Sequence, residues 1–218
     1  MYKLLSPAKV AASLATLSAL AACSVAVAQM TPPHPDAEET KTAARLQTLV
    51  LQANELATFV PILCALADTN VTQWANGDRA AVAALRSDGF VMGIREPLHS
   101  TVQHANATSV AAKFRTAQGA RHDVERQLAS ARQVGAVTTF AVLGIPGALG
   151  FTRSARGTAV YRVIFTDGAY EYVIGVDVRG ALSPDSSTAP LLKAAQLVYS
   201  RARSGDTQST NRLAVNHK

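Results

Sequence analysis

Two stretches in the second half of the chain alternate strictly between apolar and other side chains. From Thr158 to Thr166, the residues Ala159, Tyr161, Val163 and Phe165 fall on one side. From Ala169 to Val178, Tyr170, Tyr172, Ile174, Val176 and Val178 do the same, while Glu171 and Asp177 point the other way. A period of two puts alternate residues on one face of a strand. Asp167-Gly168 between the runs predicts a hairpin with a two-residue turn, because glycine accepts the positive φ that such a turn requires.

Elsewhere the period lengthens to that of a helix. Gln118 to Arg132 carries Ala120, Val124, Leu128 and Ala131 on one stripe, with Arg121, Asp123, Glu125, Arg126 and Arg132 mainly off it. Pro190 to Arg203 carries Leu191, Ala195, Val198 and Ala202 in the same way. Asn70 to Arg86 predicts one helix, with Gly89 just past its end, and Asp36 to Gln52 predicts a helix in its first half. Leu49-Val50-Leu51 fits either a helix or the start of a strand. Gly89 to Ile94, closed by Pro97, predicts a strand, as do Thr108 to Phe114 and Val137 to Leu143. The run Gly144-Ile145-Pro146-Gly147-Ala148-Leu149-Gly150 predicts a tight loop. The adjacent hairpin strands must pair antiparallel, so the expected class is α+β: a largely antiparallel sheet with helices packed on one face.

The ends differ from this middle. Lys3 and Lys9 stand before the uncharged stretch Val10 to Ala22, and Ala26-Val27-Ala28 gives a small-x-small exit. That order is the pattern of a secretory signal covering residues 1–28. Within it, Leu20-Ala21-Ala22-Cys23 resembles a bacterial lipobox, in which Cys23 becomes the lipidated first residue. The two outcomes are alternatives, since cleavage after Ala28 discards Cys23. Prolines at 32, 33 and 35 make residues 29–37 an extended linker. The expected single domain spans residues 38–203, and the polar, patternless residues 204–218 are read as a disordered tail.

Composition narrows the function classes. Loss of Lys3 and Lys9 lowers the basic count from 21 to 19 against 15 acids, so the processed chain carries +4. The basic residues are scattered, without the clustering of a nucleic-acid footprint. Cys64 is then the single cysteine outside the leader, and its apolar setting, Val60 to Leu66, reads as a buried and inert thiol. The five histidines at 34, 99, 104, 122 and 217 lack metal-ligand spacing and read as surface residues, so no metal is expected. No cofactor is expected either. The glycine loop has no following lysine, and Pro146 interrupts it, so turn formation explains it better than a phosphate cradle. It could still rim a ligand groove. Glu171 and Asp177 lie roughly 20 Å apart on an extended strand, too far for a glycosidase pair.

Candidate ligand contacts are few. Arg95 beside Glu96, and Arg153 with Arg156, could form an anion site near the glycine loop, because a guanidinium fork matches carboxylate or phosphate; exposed surface cations are the simpler reading. Tyr161, Tyr170 and Tyr172 are read first as core, or as a binding surface if part of their face stays open. Phe151 follows the loop directly. The candidate ligand positions are thus Arg95, Phe151, Arg153, Tyr161, Tyr170 and Tyr172.

Three segments carry a resemblance: Asp88 to Glu96, Gly144 to Phe151, and Phe165 to Gly175. On these, the stretch Leu49 to Arg203 resembles a set of exported bacterial proteins and lipoproteins of uncharacterised role. More distantly, the element order is similar to the PsbP-like fold, which includes mycobacterial lipoproteins of the LpqN type. The resemblance implies an accessory or partner-binding role, with no catalytic set to carry over. The expected function is a non-enzymatic exported domain, periplasmic or extracellular, that binds a small ligand or an envelope protein, with no nucleic-acid partner and membrane contact only through a lipid on Cys23. Two alternatives stand beside it: a small envelope hydrolase whose site assembles only in three dimensions, and a structural envelope lipoprotein.

Overall fold

The structure, a computed structural model, describes residues 36–62, 65, 67–155, 157–179 and 184–215. The segment read as a secretory signal, Cys23, most of the stretch read as a linker, Cys64 and Arg156 lie outside the described residues. In chain order the elements are α1 (Ala37–Thr48), β1 (Val60–Pro61), β2 (Ala67–Asp68), α2 (Val71–Trp74), α3 (Arg79–Ser87), β3 (Phe90–Ser100) and β4 (Ala105–Phe114). They continue with α4 (Ala117–Val134), β5 (Ala136–Phe140), β6 (Leu149–Ala155), β7 (Thr158–Asp167), β8 (Tyr170–Arg179) and α5 (Pro184–Val215). The α+β class with an antiparallel sheet is as the pattern predicts. Eight strands form one sheet in the order β1-β3-β4-β8-β7-β6-β5, with β2 also pairing β3, and every pairing is antiparallel.

The β7–β8 hairpin forms as expected, one residue later than expected. Asp167 pairs with Tyr170, so Gly168 and Ala169 make the turn, with Gly168 at φ 56°. Glycine at the first central position suits a turn whose twist matches the strands it joins. Three other elements depart from the sequence pattern. The helix expected over Asn70 to Arg86 is two, because Asn76 (φ 51°) and Gly77 (φ 77°) are left-handed and end α2. Asp78 then restarts the chain as α3, accepting hydrogen bonds from the N–H groups of Ala80 and Ala81. β3 continues through Pro97 to Ser100. The Pro97 carbonyl accepts from the Ile62 N–H, so the proline's missing donor faces the sheet's short outer strands, where it interrupts least. The last helix extends beyond Arg203 to Val215, since each added residue gains one hydrogen bond once the packed part has nucleated.

Helices cover both faces of the sheet, where one face was expected. The apolar sides of β7 and β8 pack under α1 and α5, with Leu46, Leu191, Ala195 and Val198 each at most 1% exposed. The opposite face carries Val110, Phe151, Ile164 and Val173 beneath α4, and Ala112 and Phe114 near α2 and α3. The reason is that α4 has its own apolar stripe, and the second sides of β4, β7 and β8 carry enough apolar residues to receive it. A bulge at the start of β3, between Phe90 and Met92, lets Phe90 join Phe114 on the α3 side while Met92 joins the α1/α5 core.

Candidate functional site

The face opposite α1 and α5 holds a groove of about 750 Å3 between the α2–α3 pair and α4. This lies within the usual range for small-molecule sites, ~300–1,000 Å3. Its floor is sheet: Val110 and Ala112 from β4, Glu171 and Val173 from β8. Its walls are made of small residues, Ala80, Ala81 and Ala84 on α3 and Ala129 and Ser130 on α4. Small side chains at these positions on two facing helices leave space that larger ones would fill.

Trp74 stands at one end. Gly93 on β3 admits it: a Cβ at that glycine would lie 2.3 Å from the indole ring, so only glycine lets the ring rest on the strand. Phe90 stacks on Trp74 at 5.2 Å between centroids and meets Phe114 edge-on at 5.9 Å. The Arg95 guanidinium sits 4.1 Å above the Trp74 ring and donates to the Trp74 carbonyl. Burial lowers the Arg95 pKa, and the nearby Asp68 acts in the opposite direction. Among the described residues Arg95 has no carboxylate in ion-pair contact.

A polar chain runs from the end of α3 across α4 to the floor. Asp88, which caps α3, pairs with Arg126 and lies 3.3 Å from the His122 ring. Arg126 also pairs with Asp123, one helical turn back. The Gln127 amide donates to Asp123 Oδ2 at 2.8 Å and to Glu171 Oε1. Asp123 and Glu171 are buried, Glu171 to 1% exposure, and Glu171 Oε2 has no hydrogen-bond partner. Burial pushes the Glu171 carboxyl up to about 8, against the smaller opposing effects of the Gln127 hydrogen bond and the Arg126 charge. A neutral carboxyl group can donate as well as accept. At the other side Arg162 crosses over Gly175 to Asp177, 2.6 Å away.

The sequence-derived ligand positions scatter over this framework. Arg95 lines the groove. Phe151 is 4% exposed and packs with Ala131, Ile164 and Val173 under α4. Arg153, two positions further along β6, is half-buried with its Nε unpartnered and does not line the groove. Tyr161 and Tyr172 lie on the far face in the α1/α5 core, and Tyr170 packs against that core beneath the Arg45 guanidinium. Phe165 stacks on Tyr172 at 4.8 Å. The structure therefore does not bring the six together. The glycine loop joins β5 to β6, with Gly144 and Gly147 at positive φ and Ile145 buried, in keeping with a turn-forming role. Among the described residues no group of histidine, cysteine or acidic side chains could hold a metal.

The residues that sequence reasoning did not count among ligand contacts are Trp74, Asp123, Arg126, Gln127 and Glu171. A signal for Glu171 existed. Val160, Ile164 and Val173 share the strand face of Glu171, so that face is too apolar to be left to water.

No protein-family model matches the chain, and no curated protein does. Among solved structures it is similar to the extracellular domain of PknH from Mycobacterium tuberculosis, at 13% sequence identity and a TM-score of 0.49, over 72% of this chain and 96% of that one. No helix among the described residues is long and apolar enough to cross a membrane.

Proposed function

We propose that this protein is an exported, non-enzymatic binding domain of the cell envelope that holds a small ligand in the groove between α3 and α4. One observation carries the reading: an open groove of small-molecule size has at its floor a buried carboxyl with an unpartnered oxygen. Leaving a buried polar atom without a partner costs about 1–3 kcal/mol. An incoming donor or acceptor recovers that cost. The two wall helices keep small side chains where larger ones would close the space.

A fluorescent, uncharged dye such as N-phenyl-1-naphthylamine tests the groove directly. Its emission should rise saturably with the wild-type protein, and an Ala84→Phe change, which fills the wall, should weaken binding at least about fivefold. Equal binding by both proteins places the dye elsewhere and defeats the reading. Export is tested by the intact mass of protein made in a bacterial host. A start at Gln29, or a lipid adduct on Cys23, supports it. A mature protein that still begins at Met1 overturns it.

A further inference from the structure

The charged groups around the groove are engaged unequally. Arg126 faces two carboxylates, Asp88 and Asp123, and Arg162 is matched by Asp177. Asp78 is taken up by the first N–H groups of α3. Arg95 remains, a half-buried cation that stacks on Trp74, spends one donor on the Trp74 carbonyl and feels the Asp68 charge, with no carboxylate in ion-pair contact among the described residues. Its neighbour on the floor, Glu171, is buried with a free oxygen and offers no compensating negative charge near neutral pH.

Strand register sets the spacing. Arg95 pairs with Val110, Val110 pairs with Val173, and Glu171 is two residues along β8 on the same face. Two strand spacings and two residues separate the Arg95 and Glu171 backbones by about 12 Å, a gap that the two side chains and one headgroup between them fill. Beside that line lie Trp74, Leu85, Val110 and Val173, an apolar bed.

We propose that the groove takes an amphipathic monoanion, a small carboxylate with an apolar body, its headgroup between the Arg95 guanidinium and the Glu171 carboxyl and its body against Trp74, Val110 and Val173. One cation without an ion-pair contact and one neutral donor suit a group with a single charge and two acceptor oxygens. A doubly charged phosphate monoester would leave one charge uncompensated in a partly desolvated site, which is costly. A cationic headgroup placed between Arg95 and the Glu171 carboxyl would be repelled by the guanidinium. This rests on the groove being a binding site.

Trp74 is the sole tryptophan of the chain, so intrinsic emission reports from the groove itself. Octanoate, octan-1-ol and octylamine share one tail and differ in headgroup charge. Each is titrated against wild-type protein at pH 7. Octanoate should shift Trp74 emission with an affinity at least about tenfold above the other two, the weight of one charge-assisted contact. Arg95→Gln should bring the octanoate-to-octanol ratio toward one, and Arg95→Lys, which keeps the charge, should restore the ranking. Wild-type octanoate affinity should fall several-fold between pH 7 and pH 9.5 as Glu171 ionises, whereas Glu171→Gln should give a flat profile. Equal binding of the three compounds, or a preference for octylamine, overturns the anion assignment and leaves the groove a site for apolar bodies. If none of the three moves Trp74 emission, the groove reading itself fails.

Discussion

At the scale of single residues, Glu171 links burial to pH. The ordinary value for its carboxyl is 4.5, and in the fold burial raises it to about 8. Between those two values the folded state keeps a proton that the unfolded chain has released. Stability is therefore full below about pH 4.5, declines as pH rises toward 8 and levels off above it. Glu96 adds a contribution of the same sign, because burial raises its carboxyl as well, against the Ala65 backbone hydrogen bond. Glu171→Gln removes the larger part of the slope. Urea unfolding should find the variant close to wild type at pH 4.5 and more stable by on the order of a few kcal/mol at pH 9. Parallel pH profiles for the two proteins would show that Glu171 is ionised in the fold. Gly93 gives a second residue-scale outcome. Gly93→Ala drives a methyl into the Trp74 ring, which should cost about 1–3 kcal/mol and shift tryptophan emission to the red as the ring is pushed toward water. An unchanged emission maximum would mean that the indole does not rest on β3. Neither residue's partner was legible in linear order. Alternation shows which face Glu171 takes, and that the face is apolar, but not that α4, separated from the hairpin by β5 and β6, lies over it.

Elements were read more reliably than their junctions. The stripes of α4 and α5 are where the pattern puts them, because a period of 3.6 with polar flanks has one stable way to bury itself. The β7–β8 hairpin was legible for the matching reason in strands. β6 was not, because Leu149 to Ala155 mixes glycine, threonine, arginine and serine and gains its order from pairing β5 and β7. The division of α2 from α3 was written in Asn76-Gly77-Asp78, a turn followed by a helix cap, but the helical period on either side masks it. Two outcomes belong to this scale. Leu191, wholly buried in α5, and Leu197, 37% exposed on the same helix, should separate on truncation. Leu191→Ala should cost ~2–5 kcal/mol and Leu197→Ala under about 1 kcal/mol, read as differences in unfolding midpoint. Equal costs would mean that α5 is rotated from the orientation described. Arg126→Met leaves Asp88 and Asp123 without their shared cation at the α3–α4 junction. Breaking such a buried pairing costs about 3–5 kcal/mol, and partial exposure of Arg126 puts the expected loss at the lower end.

At the scale of the whole molecule, the expectation of helices on one face failed for a countable reason: α4 and α5 both need cover, and the hairpin that supplies it is apolar on both sides. The result is a sheet with unequal layers. The α1/α5 side is one continuous core reaching from Leu46 to Ala202. The other side is divided by the groove into a cluster around Trp74 and Phe114 and another around Phe151 and Ile164. α3 contributes only Val82 and Leu85 as buried residues, whereas β4 and β8 are paired on both edges and covered on both faces. Local opening follows the least buried contact, so α3 should open without the sheet. Hydrogen exchange followed by mass spectrometry should find the α3 amides exchanging well before those of β4 and β8, whose exchange waits on global unfolding. A ligand seated in the groove bridges α3 to the floor, and octanoate at saturation should slow α3 exchange while leaving β8 unchanged. Uniform protection of α3 and the central strands would mean that the groove walls are as firmly held as its floor. The opening of the site would then have no separate coordinate on which a ligand could act.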